Sequence, residues 1–180
     1  YRQQQAQFEE MARKLGHEKV SVEKGAVAES ILAYIQQGGF VFAMCSATDT
    51  FDIALAARGV DIVDSVFDGD PAAQDAQSRL DYSSTVAFQG FELVMDPLEY
   101  EHSDIDLSPR SGSSLPGAEG SAFTLFEFSA RYDPVPTMLT QNHVAVVKGF
   151  LGQTTAFSRK RIKKSVTILG DIPGTDRVKY

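Results

Sequence analysis

A chain of 180 residues is long enough for one domain with a real core and leaves little room for two. Its 43% hydrophobic content, with 12 Phe and 6 Tyr, is that of a globular protein, and no apolar run approaches the ~20 residues that a helical membrane span needs. The formal charge of -7 argues against a nucleic-acid partner, because a phosphate backbone is bound by a net basic face.

The chain opens at Tyr1, without Met, on the helical run 2–15, and it stops on the alternating Arg177-Val178-Lys179-Tyr180, which reads as a strand cut short. A fragment of a longer chain is expected, with its cellular address left open. Gly16 is placed to cap the first helix, with Lys19-Val20-Ser21-Val22 as an extended link. Val27, Ile31 and Ile35, widened by Ala28 and Leu32, form the apolar stripe of a second helix that Gly38-Gly39 closes.

Phe40-Val41-Phe42-Ala43-Met44 is a continuous apolar run of strand length, the pattern of a central strand covered on both faces. Cys45-Ser46-Ala47 then turns the chain, and Thr48 or Asp49 is expected to cap a third helix ending near Arg58-Gly59. Val60-Asp61-Ile62-Val63 reads as the next strand or its approach, and Asp68-Gly69-Asp70-Pro71 as a turn. Residues 85–88 and 91–94, separated by Gln89-Gly90, are expected to form a hairpin. A loop over 108–120, a strand over 123–128, a break at 133–136, a short helix around Val144, Val147 and Leu151, and a strand over 166–169 complete the reading. Helix, Gly-Gly and buried strand together predict an α/β fold with a mostly parallel, doubly wound sheet and an inserted hairpin and loop region.

The segment 38–47 joins a helix end, an apolar strand, a nucleophile-type residue among small neighbours and a helix start. A thiol at such an elbow stands clear of the sheet edge, and the positive end of the following helix favours the thiolate. Cys45 is therefore the candidate nucleophile. The backbone N–H of Ser46, with Ala47, Thr48 and Gly39 around it, is the candidate oxyanion or binding group. As the chain's one cysteine, Cys45 cannot form an intramolecular disulfide, and a small buried apolar role is the competing reading.

A base for Cys45 would come from His17, His102 or His143. His17 ends a helix; His102 lies among carboxylates, which suits a salt-bridged loop or metal site better; His143 is retained as the candidate base. Asp68 and Asp70 with Asp75, or Glu99, Glu101, Asp104 and Asp106, are hard oxygen ligands suited to calcium or magnesium, although 24 acidic residues make such clusters expected without a metal. Neither has the EF-hand spacing, and no metal or other cofactor is assigned. The basic stretch 159–164 reads as a solvated loop or helix end, and no phosphate-loop or dinucleotide motif is present.

Residues 38–47 resemble the nucleophile region of the class I glutamine amidotransferase-like superfamily, with Ala43-Met44-Cys45-Ser46-Ala47 where that superfamily often has Gly-x-Cys-x-Gly. Residues 42–56, 67–71 and 133–143 resemble a bacterial family commonly labelled asparagine synthetase B. The resemblance implies a flavodoxin-like doubly wound fold, a Cys-dependent attack on an amide such as a glutamine side chain, and a base beyond Tyr180. The expected partner is a small amide or other metabolite, with no nucleic acid, no membrane span and homo-oligomerisation open. The alternative is a non-catalytic relative that binds a small molecule or sugar or serves assembly.

Overall fold

The computed structural model describes residues 2–99, 102–107, 123–125, 146–147 and 156–179. The chain divides into two compact units, residues 1–104 and 105–180.

The first unit is helical. Helix α1 (Arg2–Lys14) and helix α2 (Val20–Gln36) end in the same way, and the cause is local. Gly16 at φ 82° follows α1, the Gly16 N–H donates to the Arg13 carbonyl at 3.1 Å, and the His17 N–H reaches back to Ala12 at 2.8 Å. Gly38 at φ 88° follows α2, with Gly38 donating to Ile35 and Gly39 to Tyr34, both at 2.9 Å. These paired bonds satisfy carbonyls that a helix end leaves open, and only glycine takes the left-handed position without steric cost. A Cβ at Gly39 would lie 2.3 Å from the Tyr34 ring, so the second glycine of the pair makes room for that side chain. Helix α2 starts at Val20, so 20–22 are helical rather than an extended link.

Helix α3 (Ala47–Ala56) and the short α4 (Ser65–Asp68) follow. Asp64 caps α4 by accepting from the Val66 N–H at 2.9 Å, and Gly69 at φ 84° ends it, so the turn expected at 68–71 is present. Two 3-10 turns, Ala76–Arg79 and Tyr82–Ser84, lead to Phe91, which is fully buried. The Phe91 carbonyl accepts from Tyr82 Oη at 2.5 Å and Gln77 Nε2 at 3.0 Å, and the Tyr82 and Phe91 rings meet edge to face at 5.0 Å. Ala57, Val60 and Ala76 form a small core against Ile62, Ala73, Leu80 and Leu93.

One buried carboxylate orders the middle of this unit. Asp52 is 1% exposed, and its two oxygens accept from three consecutive backbone N–H groups: Val86 at 2.7 Å, Ala87 at 2.6 Å and Phe88 at 2.6 Å. Those donors are thereby withdrawn from any strand ladder, and the hairpin expected between 85–88 and 91–94 does not form. Instead Leu93 bridges Ser103 antiparallel, with Val94 N–H to His102 O at 2.9 Å and Asp104 N–H to Glu92 O at 3.1 Å.

The second unit carries a small sheet, antiparallel throughout, in the order β2-β1-β4-β5-β3: β1 (Phe123–Leu125), β2 (Val146–Val147), β3 (Phe157–Ser158), β4 (Gly170–Asp171) and β5 (Arg177–Val178). A 3-10 turn, Arg159–Arg161, follows β3, and Arg159 pairs with Asp171 on β4. The basic stretch is thus partly a short helical turn, as its composition suggests. Of the strand expected over 123–128, residues 123–125 form β1 and 126–128 lie outside the described residues, as do the loop expected at 108–120 and the break expected at 133–136; the strand expected at the chain end is β5. The strand expected at 166–169 falls instead on Gly170–Asp171, and Val147 belongs to a strand where a helix was expected.

The expected flavodoxin-like, mostly parallel, doubly wound sheet is therefore not the architecture of this chain. The run 40–44 belongs to none of these strands, and Phe40 and Met44 are 82% and 67% exposed. A continuous apolar run marks a segment able to be buried between helices; it does not supply the neighbouring strands that would bury it. Residues 60–63 likewise form no strand, because Val60 and Ile62 pack into the small helical core.

Replacing Asp52 by Ala strands three backbone donors at once and should destabilise the protein by about 3–5 kcal/mol, whereas Asp52→Asn, which keeps one acceptor oxygen, should lose roughly half of that. Urea unfolding followed by circular dichroism measures both. A loss below about 1 kcal/mol for the Ala variant would show that water replaces the carboxylate at little cost.

Candidate functional site

Cys45 sits where the sequence places it, directly before a helix, but the geometry of the turn differs from the expectation. It is the one non-glycine residue with positive φ among the described residues, at 60°, and it is partly buried. The Ala47 N–H donates to the Met44 carbonyl and the Thr48 N–H to the Cys45 carbonyl, both at 3.2 Å, which closes a tight turn around the thiol residue. Ser46, in right-handed helical geometry, is the N-cap of α3 and makes no side-chain cap bond; Thr50 donates its N–H and its hydroxyl to the Ser46 carbonyl at 3.0 and 2.5 Å. Neither Thr48 nor Asp49 caps the helix, because both lie inside its first turn.

The candidate binding groups are therefore not equivalent. The N–H groups of Ala47 and Thr48 are committed to the turn, which leaves Ser46 as the donor whose N–H closes no bond of that turn among the described residues. Gly39 belongs to the cap of α2 and gives its N–H to Tyr34, so it is a structural glycine. Of the histidines, the partly buried His17 follows the α1 cap and the exposed His102 lies in the 92–104 pairing, while His143 lies outside the described residues.

A second constellation gathers on the α2 start and the α4 turn. Asp61, Asp68 and Asp70 each present a carboxylate oxygen, all within 4.8 Å of one another. Asp61 is held by its own loop, Oδ1 accepting from Val63 N–H at 3.1 Å, and by Ser21, whose hydroxyl donates to Oδ2 at 2.9 Å. Asp68 Oδ1 accepts from the Asp70 N–H at 3.3 Å, whereas Asp68 Oδ2 is buried with no hydrogen-bond donor. Lys19 is the cation of the group: its ammonium pairs with Asp70 Oδ2 and lies 3.7 Å from Asp61 Oδ2. The sequence pattern suggested Asp75 as the third carboxylate, but Asp75 turns to Arg79 at 3.5 Å, and the true third member is Asp61. Asp61, seven residues before Asp68, lies in the strand-like run 60–63, where its spacing does not suggest the cluster. Of the second acidic cluster, Asp104 accepts from the Glu92 N–H at 2.8 Å and Asp106 from the Ala156 N–H at 3.2 Å, while Glu101 lies outside the described residues.

Burial, followed by the negative fields of Asp70 and Asp61, pushes the Asp68 carboxyl up to about 6. The Lys19 ammonium has the opposite effect on Asp70, holding it below the ordinary carboxylate range, and Asp70 in turn raises Lys19. An open groove of about 560 Å³ lies elsewhere in the unit, lined by Glu29, Gln36, Arg58, Ser83 and Ser84 among others, with Arg58 Nε 2.8 Å from Glu29 Oε1.

Comparisons of this chain with protein-family models, with curated proteins and with solved structures find no match. Among the described residues no helix is long and apolar enough to cross a membrane.

The raised carboxyl of Asp68 has a definite consequence for stability. Its folded pKa lies above the ordinary value of 3.8, so the native state binds the proton more tightly and the stability contributed is present at low pH. That contribution is lost as pH rises through 3.8 to about 6. Asp68→Asn, which keeps the acceptor for Asp70, should therefore leave stability at pH 4 nearly unchanged and raise it at pH 7 by on the order of 1–3 kcal/mol in metal-free buffer. Equal shifts at the two pH values, from urea midpoints, would contradict this account.

Proposed function

We propose that the chain is an amidotransferase-like module in which Cys45 acts as a thiol nucleophile on a small amide. The observation that carries the reading is the left-handed conformation of Cys45 immediately before α3. A residue with a Cβ held there costs roughly 1–2 kcal/mol relative to one in the right-handed region, a cost found most often where a side chain must be presented in a fixed direction. The start of α3 favours the thiolate, and the Ser46 N–H is suitably located to support an oxyanion formed by attack on a carbonyl. Asp49, buried in the first turn of the same helix, opposes the thiolate, so the reactivity of Cys45 reflects the balance between a helix terminus and a carboxylate. An amide as the substrate class is the part of this proposal that rests on the sequence reading of residues 42–56 alone. Hydrolysis of the acyl-thiol would require a base, for which His143 is the candidate.

The second reading is a non-catalytic module that binds a small polar molecule or sugar, and the groove beside Arg58 favours it. Its Ser83 and Ser84 hydroxyls donate to Asp81, whose carboxyl they hold below the usual range, leaving Arg58, Glu29 and Gln36 as the groups that would meet a ligand.

Iodoacetamide alkylation of Cys45 as a function of pH separates these readings. The nucleophile predicts an apparent pKa below the ~8.5 of a free thiol, and covalent labelling by an electrophilic glutamine analogue that Cys45→Ser abolishes. A thiol that reacts only after unfolding, or labelling unchanged in the Ser variant, would leave the binding module as the reading to pursue. Cys45→Gly should raise stability by about 1 kcal/mol, because glycine carries no penalty at this φ. Thermal unfolding in which the Gly variant is less stable would show that the thiol is packed rather than strained.

A further inference from the structure

We propose that Asp61, Asp68 and Asp70 form a calcium site in which the ion displaces the Lys19 ammonium. Oxygens all within 4.8 Å of one another share a common point no more than about 2.8 Å from each, near enough for the 2.3–2.6 Å of Ca–O bonds, and calcium gives up its water to protein carboxylates more readily than magnesium does. The second observation is independent of that spacing. Asp68 is only 9% exposed, yet its Oδ2 accepts no hydrogen bond, and a buried carboxylate oxygen without a donor is costly unless a cation meets it. Lys19 does not meet it, being committed to Asp70 and lying near Asp61.

The charge balance points the same way. Three carboxylates face one ammonium, and a divalent ion in its place neutralises two of their three charges where Lys19 neutralises one. The Lys19 side chain is 52% exposed, so it can swing into water when the ion enters. The Val63 N–H holds Asp61 and the Asp70 N–H holds Asp68, each through Oδ1, which fixes two of the three ligands before binding. A cavity of about 300 Å³ lined by Glu9, Arg13, Glu18, Lys19, Asp68 and Asp70 adjoins the cluster and has room for the waters that complete a coordination number of 6–8.

Isothermal titration of calcium into the chelator-treated full chain, with thermal unfolding in parallel, tests this site. One saturable calcium per chain is expected, with Kd on the order of 10⁻⁴–10⁻³ M, as for exposed sites with few charged ligands, and a rise in Tm on saturation. Asp68→Asn should weaken binding at least ~10-fold while the variant remains folded by circular dichroism, and Lys19→Met should tighten it about 10-fold by removing the competing ammonium. Binding that is equal in wild type and Asp68→Asn, a magnesium affinity matching that of calcium, or no saturable uptake at about 10 mM would each overturn the proposal.

Discussion

The grip of Asp52 on the backbone of residues 86–88 is the constraint on which the helical unit depends. A carboxylate on α3 is almost wholly buried, and burial of a charge is tolerated only when donors replace the water it loses. Three successive N–H groups do so here, and they come from a segment more than thirty residues away. The interaction fixes α3 relative to the segment that leads into Phe91, and Phe91 in turn gathers Tyr82 and Gln77 through its carbonyl. Gln77 closes the circuit by accepting from the Leu93 N–H at 2.7 Å. A region with little regular structure is thereby held by side-chain bonds to backbone, where a sheet would have used ladder bonds.

Carboxylates elsewhere in this unit meet the same demand to different degrees. Asp64 and Asp81 accept from backbone two residues ahead and set short turns, while Asp52 accepts three donors. Asp68 has one oxygen satisfied and one not, with two further carboxylates beside it. The contrast matters because the acidic composition of the chain alone would make any cluster unremarkable. Burial beside two further carboxylates is what distinguishes Asp68, and the same surroundings raise its affinity for a proton.

What could be read from the sequence was what is decided locally. The first helix, found at Arg2–Lys14, the second helix, the glycine caps and the turn at 68–71 all depend on residues within one or two turns of each other, and all are present, although Val27 of the expected apolar stripe is exposed and α2 buries Val20, Glu23 and Ala28 instead. Strand pairing depends on partners far along the chain, and there the patterns misled. The run 40–44 has the composition of a central strand, but Phe40 and Met44 are exposed and the segment joins none of the strands. Residues 91–94 do pair antiparallel, yet with 102–104, because Asp52 had already taken the donors of 86–88. Nothing in the spacing of Asp52 announces that competition.

The candidate site divides along the same line. The turn at Cys45 is legible from its neighbours, since a turn between an apolar run and a helix start is a local feature, but its left-handed backbone is not. Asp68 and Asp70 are legible as neighbours, but the sequence groups them with Asp75, which is nearer in sequence to Asp70 than Asp61 is. Asp61 arrives by tertiary packing: the chain leaving α3 passes the start of α2, where Ser21 and Lys19 draw its carboxylate inward. Because Lys19 precedes Val20, the first residue of α2, its ammonium serves the cluster only while α2 begins there. The helix boundary that the sequence pattern placed too late is thus the one that positions both Ser21 and Lys19, and an error of a few residues in a helix start is enough to hide a three-carboxylate site.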